Sequence, residues 1–484
     1  MQSQKHIICN LRILQQKKML KKNTKWRMDS ILFEFRNGKE VSEKYYIKTF
    51  GCQMNVYDSS RIADMLKKEG YEETAKQADA DIVLFNTCHI REKAAEKLFS
   101  DLGRAHLIQL EREEAGKRTI IGVVGCVVQA EDEQIIKRAP FVDFALGPLM
   151  YHKIPEVLRN IRKNKEHQSV VNTEFPAESK FDFLPENKAQ GACSFLAIQE
   201  GCNNFCTYCV VPYTRGVEYS RPVAEVIKEA KRLLETGTLE INLLGQNVNS
   251  YHGEDENGHE RDLAYLLHRV AELDGIKRIR YTTSYPADMN DDLIACHKDI
   301  EVLMPYLHLP IQSGSDRILK AMNRRHTSGD YLRIVEKLKK ANPNIGMSSD
   351  FIVGFPGETD EDFQKTLDVV NEVKYIQAFS FKYSRRAGTP AAVMDNQVEE
   401  KVKKERLEIL QNLLFDYQTK FNQACVGKVM PVLLEQKGRY KGQLIGRTPY
   451  MQNLHIETDS ANINKIIDAK IVEATTNSLT GKEI

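Results

Sequence analysis

Three cysteines at close spacing carry the clearest chemical signal in the chain. Cys202, Cys206 and Cys209 form a C-x3-C-x2-C pattern, and thiolates are soft ligands that suit zinc or iron-sulfur clusters. A structural zinc site takes four ligands, whereas this pattern offers three. The next histidine downstream is His252, and Cys193 lies at the far end of a predicted strand, roughly 20 Å away at ~3.3 Å per residue. The pattern therefore favours a four-iron cluster with one open iron over a zinc knuckle or redox-active cysteines.

An open iron indicates which cofactor the cluster would take. S-adenosylmethionine can chelate such an iron through its amino and carboxylate groups. An electron from the cluster then breaks the sulfonium bond and gives a 5′-deoxyadenosyl radical. We therefore expect S-adenosylmethionine as a cofactor of this site.

Three further cysteines lie just beyond predicted strands of the N-terminal region. Cys52, Cys88 and Cys126 each fall one to three residues past the end of a strand. In an open parallel sheet the crevice outside the carboxyl ends of the strands is the binding place. A single cysteine there is usually a core residue, but three in register predict a second, auxiliary cluster site. The three strands are predicted at 45–50, 81–86 and 119–124.

The first triad needs a scaffold that presents loops at one face, and the central sequence provides it. Six strand-like runs, each followed by a segment able to form a helix, predict a partial (βα)6 barrel with its site at the carboxyl ends of the strands. The runs are 194–200, 240–244, 278–283, 306–310, 347–353 and 378–383. Ser315 and His308 also lie near these ends, although a lone histidine is more often structural. The residues predicted to line the cofactor pocket are Tyr208, Gln246, Asn247, Gln312, Gly354, Gly357 and Glu358.

Beyond the barrel, the sequence predicts one long helix and a small β-barrel. Apolar residues at spacings of three and four favour a helix over 399–423 that packs on the central barrel. Short β-like runs at 429–435, 443–447, 454–458 and 466–474 favour a C-terminal β-barrel. Basic residues near its turns form a candidate RNA-binding surface or a solvated charged face. These residues are Lys437, Arg439, Lys441 and Arg447.

Length and composition agree with a multidomain α/β protein. The chain has 484 residues, 42% of them hydrophobic, and a formal charge of +2, so the net charge identifies no partner. No apolar run is long enough to span a bilayer, and sparse cysteines suit a reducing compartment, so we expect a cytoplasmic protein without a membrane anchor. The predicted divisions are a basic leader 1–43, an open parallel-sheet domain 44–160, a connector 161–191, the barrel 192–420 and the β-barrel 421–484.

The basic leader has three interpretations. Residues 1–27 carry eight Lys or Arg and no acidic residue, and they lack the apolar core of a secretory signal. An organellar presequence, a nucleic-acid-binding tail, and an upstream extension with the true start at Met28 all remain open. The leader is therefore excluded from the fold prediction.

Several motifs together resemble the methylthiotransferase branch of the radical S-adenosylmethionine enzymes, and the resemblance covers residues 44–482. That family joins an N-terminal cluster domain, a radical barrel and a C-terminal TRAM domain. Tyr285 and Ala387 depart from the pattern, where His and Pro are expected. The motifs are Thr49-Phe50-Gly51-Cys52-Gln53-Met54-Asn55, Cys88 with Ile90-Arg91-Glu92-Lys93, Cys209-Val210-Val211-Pro212-Tyr213-Thr214-Arg215-Gly216, Leu244-Gly245-Gln246-Asn247-Val248-Asn249, Gly354 to Thr359 and Thr476-Asn477-Ser478-Leu479.

The resemblance implies a reaction and its partners. The tRNA-acting members convert N6-dimethylallyladenosine at position 37, next to the anticodon, into its 2-methylthio derivative. This implies two 4Fe-4S clusters, with S-adenosylmethionine as both methyl donor and radical source. It also implies a tRNA anticodon stem-loop as substrate, an external electron donor, a protein that supplies sulfur or clusters, and a monomeric enzyme.

Other acceptors and another class of protein remain open at this point. The same chemistry could act on threonylcarbamoyladenosine in tRNA or on an aspartate of a ribosomal protein. A remote alternative is a non-catalytic iron-sulfur protein that binds RNA. The remaining cysteines, Cys9, Cys193, Cys296 and Cys425, receive no role.

Overall fold

The computed structural model describes residues 42–88, 92–163, 169–176, 178–189 and 191–484. Residues 1–41 of the predicted basic leader lie outside the described residues, as do Ile90 and Arg91 of the Ile90-Arg91-Glu92-Lys93 motif. From Glu43 onwards the chain forms one compact unit. Within the described part, no helix is long and apolar enough to cross a membrane.

The N-terminal region is a six-stranded parallel sheet in the order β2-β1-β3-β4-β5-β6. Its central strands β3 and β4 are short runs of apolar, largely β-branched residues, and every residue in them is buried. Such runs suit parallel strands covered on both faces. The strands are β1 Lys44–Thr49, β2 Glu72–Glu73, β3 Ile82–Asn86, β4 Ile120–Val124, β5 Phe144–Leu146 and β6 Val170–Asn172; the helices are α1 Gln53–Lys68, α2 Glu92–Glu114, α3 Cys126–Glu131, α4 Gln134–Arg138 and α5 Ile154–Lys163.

This sheet is wider than the three strands predicted. The predicted strands correspond to β1, β3 and β4, whereas β2, β5 and β6 contain only two or three residues and show no readable periodicity. Strand β6 lies within the segment predicted as a connector, and it pairs in parallel with β5. The connector therefore contributes an edge strand before the chain reaches the barrel.

The central region is the predicted partial barrel, built from two parallel three-stranded sheets, β13-β10-β7 and β14-β15-β16. One parallel bridge between Ile279 and Leu303 joins the two halves. Its apolar core lies between the strands and the surrounding helices. The strands are β7 Cys193–Ala197, β10 Glu240–Leu244, β13 Arg278–Thr282, β14 Tyr306–His308, β15 Gly346–Val353 and β16 Gln377–Lys382.

The main difference from the predicted barrel is at its first strand, where the run 194–200 divides. β7 ends at Ala197, and β8 Gln199–Glu200 pairs antiparallel with β9 Tyr219–Ser220. The intervening residues 201–218 form a loop closed at its base by this pairing. The remaining elements are the hairpin β11 Gly253–Glu254 with β12 Glu260–Arg261, and the helices α6 Val211–Arg215, α7 Val223–Glu235, α8 Leu263–Ala271, α9 Asp291–Asp299, α10 Asp316–Ala321, α11 Ser328–Ala341, α12 Asp360–Val373 and α13 Glu400–Gln423.

The C-terminal region is a closed five-stranded barrel in the order β17-β18-β19-β21-β20. Its last strand was not predicted, because Ser478–Glu483 is polar apart from the buried Leu479. The strands are β17 Val429–Lys437, β18 Gln443–Arg447, β19 Asn453–Glu457, β20 Ile466–Ala474 and β21 Ser478–Glu483.

Two buried arginines of the central barrel hold the C-terminal barrel in place. Arg278 and Arg280 both lie on β13, and Arg280 Nε donates to Glu240 Oε1 at 3.0 Å. The Nη1 and Nη2 atoms of both arginines donate to main-chain carbonyls of the C-terminal barrel, which satisfies groups that would otherwise be costly to bury. The accepting carbonyls belong to Pro431, Arg447, Thr448 and Pro449.

Candidate iron-sulfur and cofactor sites

The loop with the C-x3-C-x2-C pattern turns sharply at a glycine. Gly201 has φ +79°, and a Cβ there would collide with the carbonyl oxygen of Val217. The Cys202 amide donates to Gly216 O at 3.3 Å, and the Cys209 amide donates to Cys206 O at 2.9 Å. These bonds fold the loop back on itself, with its three cysteines close together in the chain.

The end of helix α10 supports this loop from outside. Thr207 Oγ1 donates to Ala321 O at 2.9 Å, and the Thr207 amide donates to Met322 O at 3.1 Å. Asn323 Nδ2 donates to the carbonyls of Asn204 and Phe205 at 3.1 and 3.0 Å. These bonds hold Phe205 at φ +46°, a conformation that a bulky residue adopts only when its surroundings impose it.

One thiol of this loop accepts a hydrogen bond from an arginine. Arg324 Nη1 donates to Cys206 Sγ at 3.7 Å, Nη2 donates to Pro310 O at 2.6 Å, and the guanidinium stacks on the Tyr285 ring at 4.1 Å. Burial raises the pKa of Cys209 to about 12, and the neighbouring Cys206 thiol adds to the shift. Uncompensated thiolates are therefore unfavourable here, and positive charge in addition to that of Arg324 would stabilise them.

The second cysteine set converges at the carboxyl ends of three strands, as predicted. Cys52 precedes α1, Cys88 follows β3, and Cys126 begins α3 after β4. A Cβ on Gly51, which has φ +118°, would collide with Cys88 Cβ. Gly125, at φ +102°, similarly allows a close approach to the Thr87 carbonyl. The two glycines bring the three cysteine-bearing segments together.

The electrostatics of this auxiliary site are set by contacts between its thiols and one arginine. A hydrogen bond with Cys88 lowers the pKa of Cys52 to about 6, against the effect of burial and with help from Arg215. Burial raises the pKa of Cys126, and Arg215 opposes that effect. Arg215 Nε donates to Cys126 Sγ at 3.4 Å.

Both cysteine sets fit iron-sulfur clusters better than single metal ions. Among the residues that the structure describes, no three His, Cys, Asp or Glu side chains lie close enough to hold one ion. A cubane cluster does not require that closeness, because each thiolate binds a different iron. Each set offers three thiols and one arginine donor, and the glycines leave the space that side chains would fill. The donor chemistry therefore suits two clusters that each keep an iron without a protein ligand.

Four of the residues predicted for the cofactor pocket lie at the carboxyl face of the barrel beside the cluster loop. Gln246 Oε1 accepts from the Gly201 amide at 2.6 Å, and Asn247 Nδ2 donates to Asp288 Oδ2 at 2.7 Å. Tyr208 packs with apolar residues below the loop. Gln312 is buried with φ +78°. These residues are within one region of the fold.

The other three predicted pocket residues belong to the turn between β15 and α12. Glu358 Oε1 accepts from the Gly354 amide and from Arg406 Nη1, each at 2.8 Å. Burial raises the pKa of Glu358, while the Gly354 amide and Arg406 oppose that rise. The Gly357 amide donates to Asn396 O at 2.8 Å. The carboxylate thus ties this turn to α13.

Two neighbouring polar residues that follow or end β14 are also held by internal hydrogen bonds. Ser315 Oγ donates to Asp362 at 2.6 Å, and His308 Nδ1 bonds Ser348 Oγ at 2.9 Å.

The structure divides the four basic residues of the C-terminal barrel into two groups. Lys437, Arg439 and Lys441 are exposed around the turn between β17 and β18, beside the exposed Tyr440. Arg447 lies at the other end of β18, where its Nε is 3.2 Å from Glu435 Oε2. It lines a cavity of about 320 Å³ together with residues at the start of β7 and β10. Three of the four therefore share a surface.

Comparison with known proteins adds the family. A curated tRNA-2-methylthio-N6-dimethylallyladenosine synthase of Agrobacterium fabrum is 54% identical over 443 residues, covering 90% of this chain and 97% of the relative. The chain belongs to this synthase family. Its segments match the Radical SAM superfamily over 196–370, the TRAM domain over 423–484, and the uncharacterized protein family UPF0004 over 44–147. As a radical S-adenosylmethionine enzyme, this synthase family member uses S-adenosylmethionine with an iron-sulfur cluster.

Solved structures confirm the fold of this synthase family member. The radical S-adenosylmethionine methyltransferase TsrM from Kitasatospora setae, solved with cobalamin and a [4Fe-4S] cluster, is 13% identical, with a TM-score of 0.53 over 73% of this chain and 77% of that chain. The same enzyme with tryptophan and a S-adenosylmethionine analogue gives a TM-score of 0.54 at 13% identity, over 73% of this chain and 75% of that chain. At this identity the likeness concerns the fold alone.

Sequence reasoning missed the two arginines that contact thiols in this synthase family member. Arg215 occurred only as part of the motif that follows Cys209, and Arg324 in no motif at all. Their roles depend on contacts 89 and 118 residues apart in the chain, to Cys126 and Cys206 respectively. The position of Arg215 in the motif was the one available signal.

Proposed function

We propose that the protein attaches a methylthio group to C2 of N6-dimethylallyladenosine at position 37 of tRNA, using two 4Fe-4S clusters. Cys202, Cys206 and Cys209 would hold the radical cluster. Cys52, Cys88 and Cys126 would hold the auxiliary cluster. The observation that carries this proposal is the occurrence of two three-thiol sites, each with an arginine at one thiol, in one compact unit.

The bound groups would divide the chemistry between them. Cys202, Cys206 and Cys209 would hold the cluster that supplies the electron for cleavage of S-adenosylmethionine, and Cys52, Cys88 and Cys126 would hold the cluster that supplies sulfur. A radical is required because the adenine C2–H bond is unactivated. Tyr208, Gln246, Asn247 and Gln312 would bind and orient S-adenosylmethionine beside the loop.

The protein groups around the radical site hold it rather than react. Gly201 gives the loop its turn, and Asn323 fixes the two carbonyls between Cys202 and Cys206. Arg324 donates to Cys206 and stacks on Tyr285. Donors that are already fixed in place by other contacts avoid reorganisation when charge changes at the site.

The exposed basic turn of the C-terminal barrel would bind the tRNA backbone. Lys437, Arg439 and Lys441 offer positive charge, and Tyr440 offers an exposed ring for stacking. Replacing the three basic residues by alanine should weaken tRNA binding about 10-fold and reduce its salt dependence. The control removes three exposed lysines from helix α11, Lys337, Lys339 and Lys340. Equal losses in both variants would exclude a specific role for this turn.

The central experiment measures both products of the reaction. The protein is reconstituted anaerobically with iron and sulfide and incubated with S-adenosylmethionine, a reductant and dimethylallyl-modified tRNA. The digested nucleosides are analysed by mass spectrometry alongside Cys52→Ala and Cys202→Ala variants. We expect 2-methylthio-N6-dimethylallyladenosine and 5′-deoxyadenosine from the unsubstituted protein, only 5′-deoxyadenosine from Cys52→Ala, and neither from Cys202→Ala.

Each failure has a separate meaning. If 5′-deoxyadenosine forms while the tRNA stays unmodified, the acceptor is wrong, and threonylcarbamoyladenosine tRNA and the ribosomal protein aspartate become the next substrates to assay. If neither product forms with both clusters loaded, the reaction itself is excluded. The assay needs an artificial reductant because the proposed electron donor and the sulfur-supplying protein are external partners.

A further inference from the structure

Four buried charges lie beside the auxiliary cysteine site. Arg215, Lys180, Asp58 and Glu200 form two cations and two anions that balance, and we call them the buried charge square. Arg215 donates to Glu200 Oε1 at 2.7 Å and to Asp58 Oδ2 at 2.8 Å. Lys180 donates to Glu200 Oε1 at 2.7 Å and to Asp58 Oδ1 at 3.1 Å. No side chain in the square is more than 5% exposed.

The members of the square come from the segments that carry the cysteines. Glu200 immediately precedes Gly201 and the radical loop, and Arg215 ends helix α6 in the same loop. Asp58 lies on α1, which begins directly after Cys52. Lys180 comes from the connector between the two domains. The square therefore joins the start of the loop that carries the radical cysteines to the helix that follows Cys52.

Only one of the two cations contacts a thiol. Arg215 uses its third nitrogen, Nε, to donate to Cys126 Sγ at 3.4 Å. Lys180 instead donates to Pro148 O at 3.3 Å and lies 4.7 Å from the centre of the Tyr151 ring. The planar guanidinium can satisfy two carboxylates and a thiol at once, which an ammonium group cannot do with fixed geometry. The two cations are equivalent in charge but not in their relation to the auxiliary site.

We propose that Arg215 is a positioning residue of the auxiliary site, which holds the Cys126 thiolate through Nε and couples it to the radical loop through Glu200. This inference rests on the proposed function, since it requires a cluster on Cys52, Cys88 and Cys126. A cation that donates to a ligating sulfur stabilises the more reduced state of the cluster and orients the ligand. Loss of such a contact typically lowers metal affinity by about 10- to 100-fold.

The alternative is that Arg215 only balances buried charge, and Lys180 provides a matched control for that. Asp58→Asn combined with Arg215→Met leaves Lys180 paired with Glu200. Asp58→Asn combined with Lys180→Met leaves Arg215 paired with Glu200. Both double variants lose one cation and one anion from the square, so neither keeps an uncompensated buried charge. Only the first loses the donor to Cys126.

The measurement isolates the auxiliary cluster in the full chain. Cys202, Cys206 and Cys209 are replaced by alanine so that all bound iron belongs to the auxiliary site. The two double variants are made in this background and reconstituted anaerobically. Iron and sulfide per chain, the electron paramagnetic resonance spectrum of the reduced cluster, and its midpoint potential are then compared. Circular dichroism reports whether each variant is folded.

The expected result is a difference between the two double variants. The Asp58→Asn/Arg215→Met protein should bind iron about 10-fold or more weakly, or hold a cluster of lower midpoint potential with an altered spectrum. The Asp58→Asn/Lys180→Met protein should match its background. Equal behaviour of the two would overturn the role of Arg215 while leaving the proposed function intact. No iron in the parent background would instead overturn the proposed auxiliary cluster, and the inference with it.

Arg215→Lys in the same background decides the question if the Arg215→Met variant does not fold. Lysine keeps the charge of the square but has no Nε donor in the guanidinium geometry. A lower midpoint potential or weaker iron binding supports the proposal, and parental values overturn it. In the protein that keeps all six proposed cluster cysteines, Arg215→Lys should lower the amount of methylthio product relative to 5′-deoxyadenosine at least about 10-fold. An unchanged ratio would also contradict the proposal.

Discussion

The two cysteine sites each offer three thiols, but they are assembled in different ways. The radical site takes its three thiols from an eight-residue stretch, Cys202 to Cys209, within the loop 201–218 that β8 and β9 close at its base. The auxiliary site takes its thiols from three strand ends that are 36 and 38 residues apart. Its geometry therefore depends on the whole N-terminal sheet, whereas the radical loop depends on local turns and on the end of α10.

The arginines differ in the same way. Arg324 is half-buried, and its nitrogens meet a thiol and a main-chain carbonyl. Arg215 is fully buried, and its nitrogens meet a thiol and two carboxylates from other segments. At the radical site, which is built from one loop, the arginine needs only neutral acceptors. At the auxiliary site, which is built from distant segments, the arginine belongs to a network of balanced charges.

The largest effect is expected from two matched glycine substitutions. A Cβ on Gly51 would collide with Cys88, and a Cβ on Gly201 would collide with Val217 O; both residues have positive φ. Gly51→Ala should abolish auxiliary iron and methylthio product but leave 5′-deoxyadenosine formation. Gly201→Ala should lower both products at least about 100-fold, since displacement of about 1 Å near the chemistry costs that much. Loss of both clusters in either variant would show that the sites are not separately built.

Removal of the radical-site arginine should have a smaller, confined effect. Arg324→Met removes the donor to Cys206 while an apolar side chain can still pack on Tyr285. We expect 5′-deoxyadenosine formation to fall about 10-fold, with auxiliary iron unchanged. Iron analysis of a Cys52→Ala/Cys88→Ala/Cys126→Ala background, with and without Arg324→Met, measures the effect on the radical cluster directly. A fall in auxiliary iron would break the contrast between the two arginines.

The charge network should make the auxiliary side sensitive to loss of one carboxylate. Burial opposes ionisation of Asp58, but Lys180 and Arg215 outweigh it and lower its pKa below the ordinary 3.8. Asp58→Asn should reduce the free energy of unfolding of the apoprotein at pH 7 by about 3 kcal/mol. Asp288→Asn on the radical side, where Asp288 pairs with the exposed Arg325, should cost about 1 kcal/mol or less.

The pH dependence of this difference has a defined sign. A lowered pKa means that Asp58 stabilises the folded state fully above 3.8, and that this contribution is lost as the pH falls through 3.8 towards the lower folded value. Urea unfolding of the unsubstituted protein and of Asp58→Asn should be compared between pH 7 and pH 3. Their free energies of unfolding should converge as the pH falls. A constant difference over this range would exclude Asp58 as an ionised member of the square.

The smallest effect is expected at the family-departing Tyr285. Its hydroxyl accepts from the Arg325 amide at 2.7 Å, and its ring lies under Arg324. Tyr285→Phe keeps the ring and loses the acceptor, so the thermal unfolding midpoint should fall by an amount equivalent to about 1 kcal/mol. The rate of 5′-deoxyadenosine formation should stay within about 2-fold. A loss as large as that of Arg324→Met would indicate that the hydroxyl, not the ring, positions Arg324.

The sequence alone predicted the sheet and the partial barrel, and it predicted that Cys52, Cys88 and Cys126 lie at neighbouring strand ends. Buried apolar runs such as β3 and β4 and the regular βα alternation predicted the sheet and the partial barrel, and the strand ends then placed Cys52, Cys88 and Cys126 side by side. Two- and three-residue strands were missed because they are too short to show a period. Strand β21 was missed because a polar strand can be held by pairing with its neighbours.

Side-chain partners were beyond prediction for a different reason. The contact of Arg215 with Cys126 arises only after two domains have packed, and the motif that contains Arg215 does not indicate which distant thiol its side chain meets. Glu358 is a second example, because its place in a glycine turn predicts a cofactor contact but gives no indication that its carboxylate also accepts from Gly354 and Arg406. A sequence motif can single out a residue, but the partner of its side chain is often distant in the chain and is known only from the folded structure.

The attachment of the C-terminal barrel has a consequence for how that domain can evolve. Arg278 and Arg280 donate to carbonyls of the polypeptide backbone, which every amino acid possesses. Replacement of the side chains at the accepting positions leaves these bonds available as long as the strand keeps its course. The residues of this domain can therefore change while the hydrogen bonds that attach it to the central barrel persist.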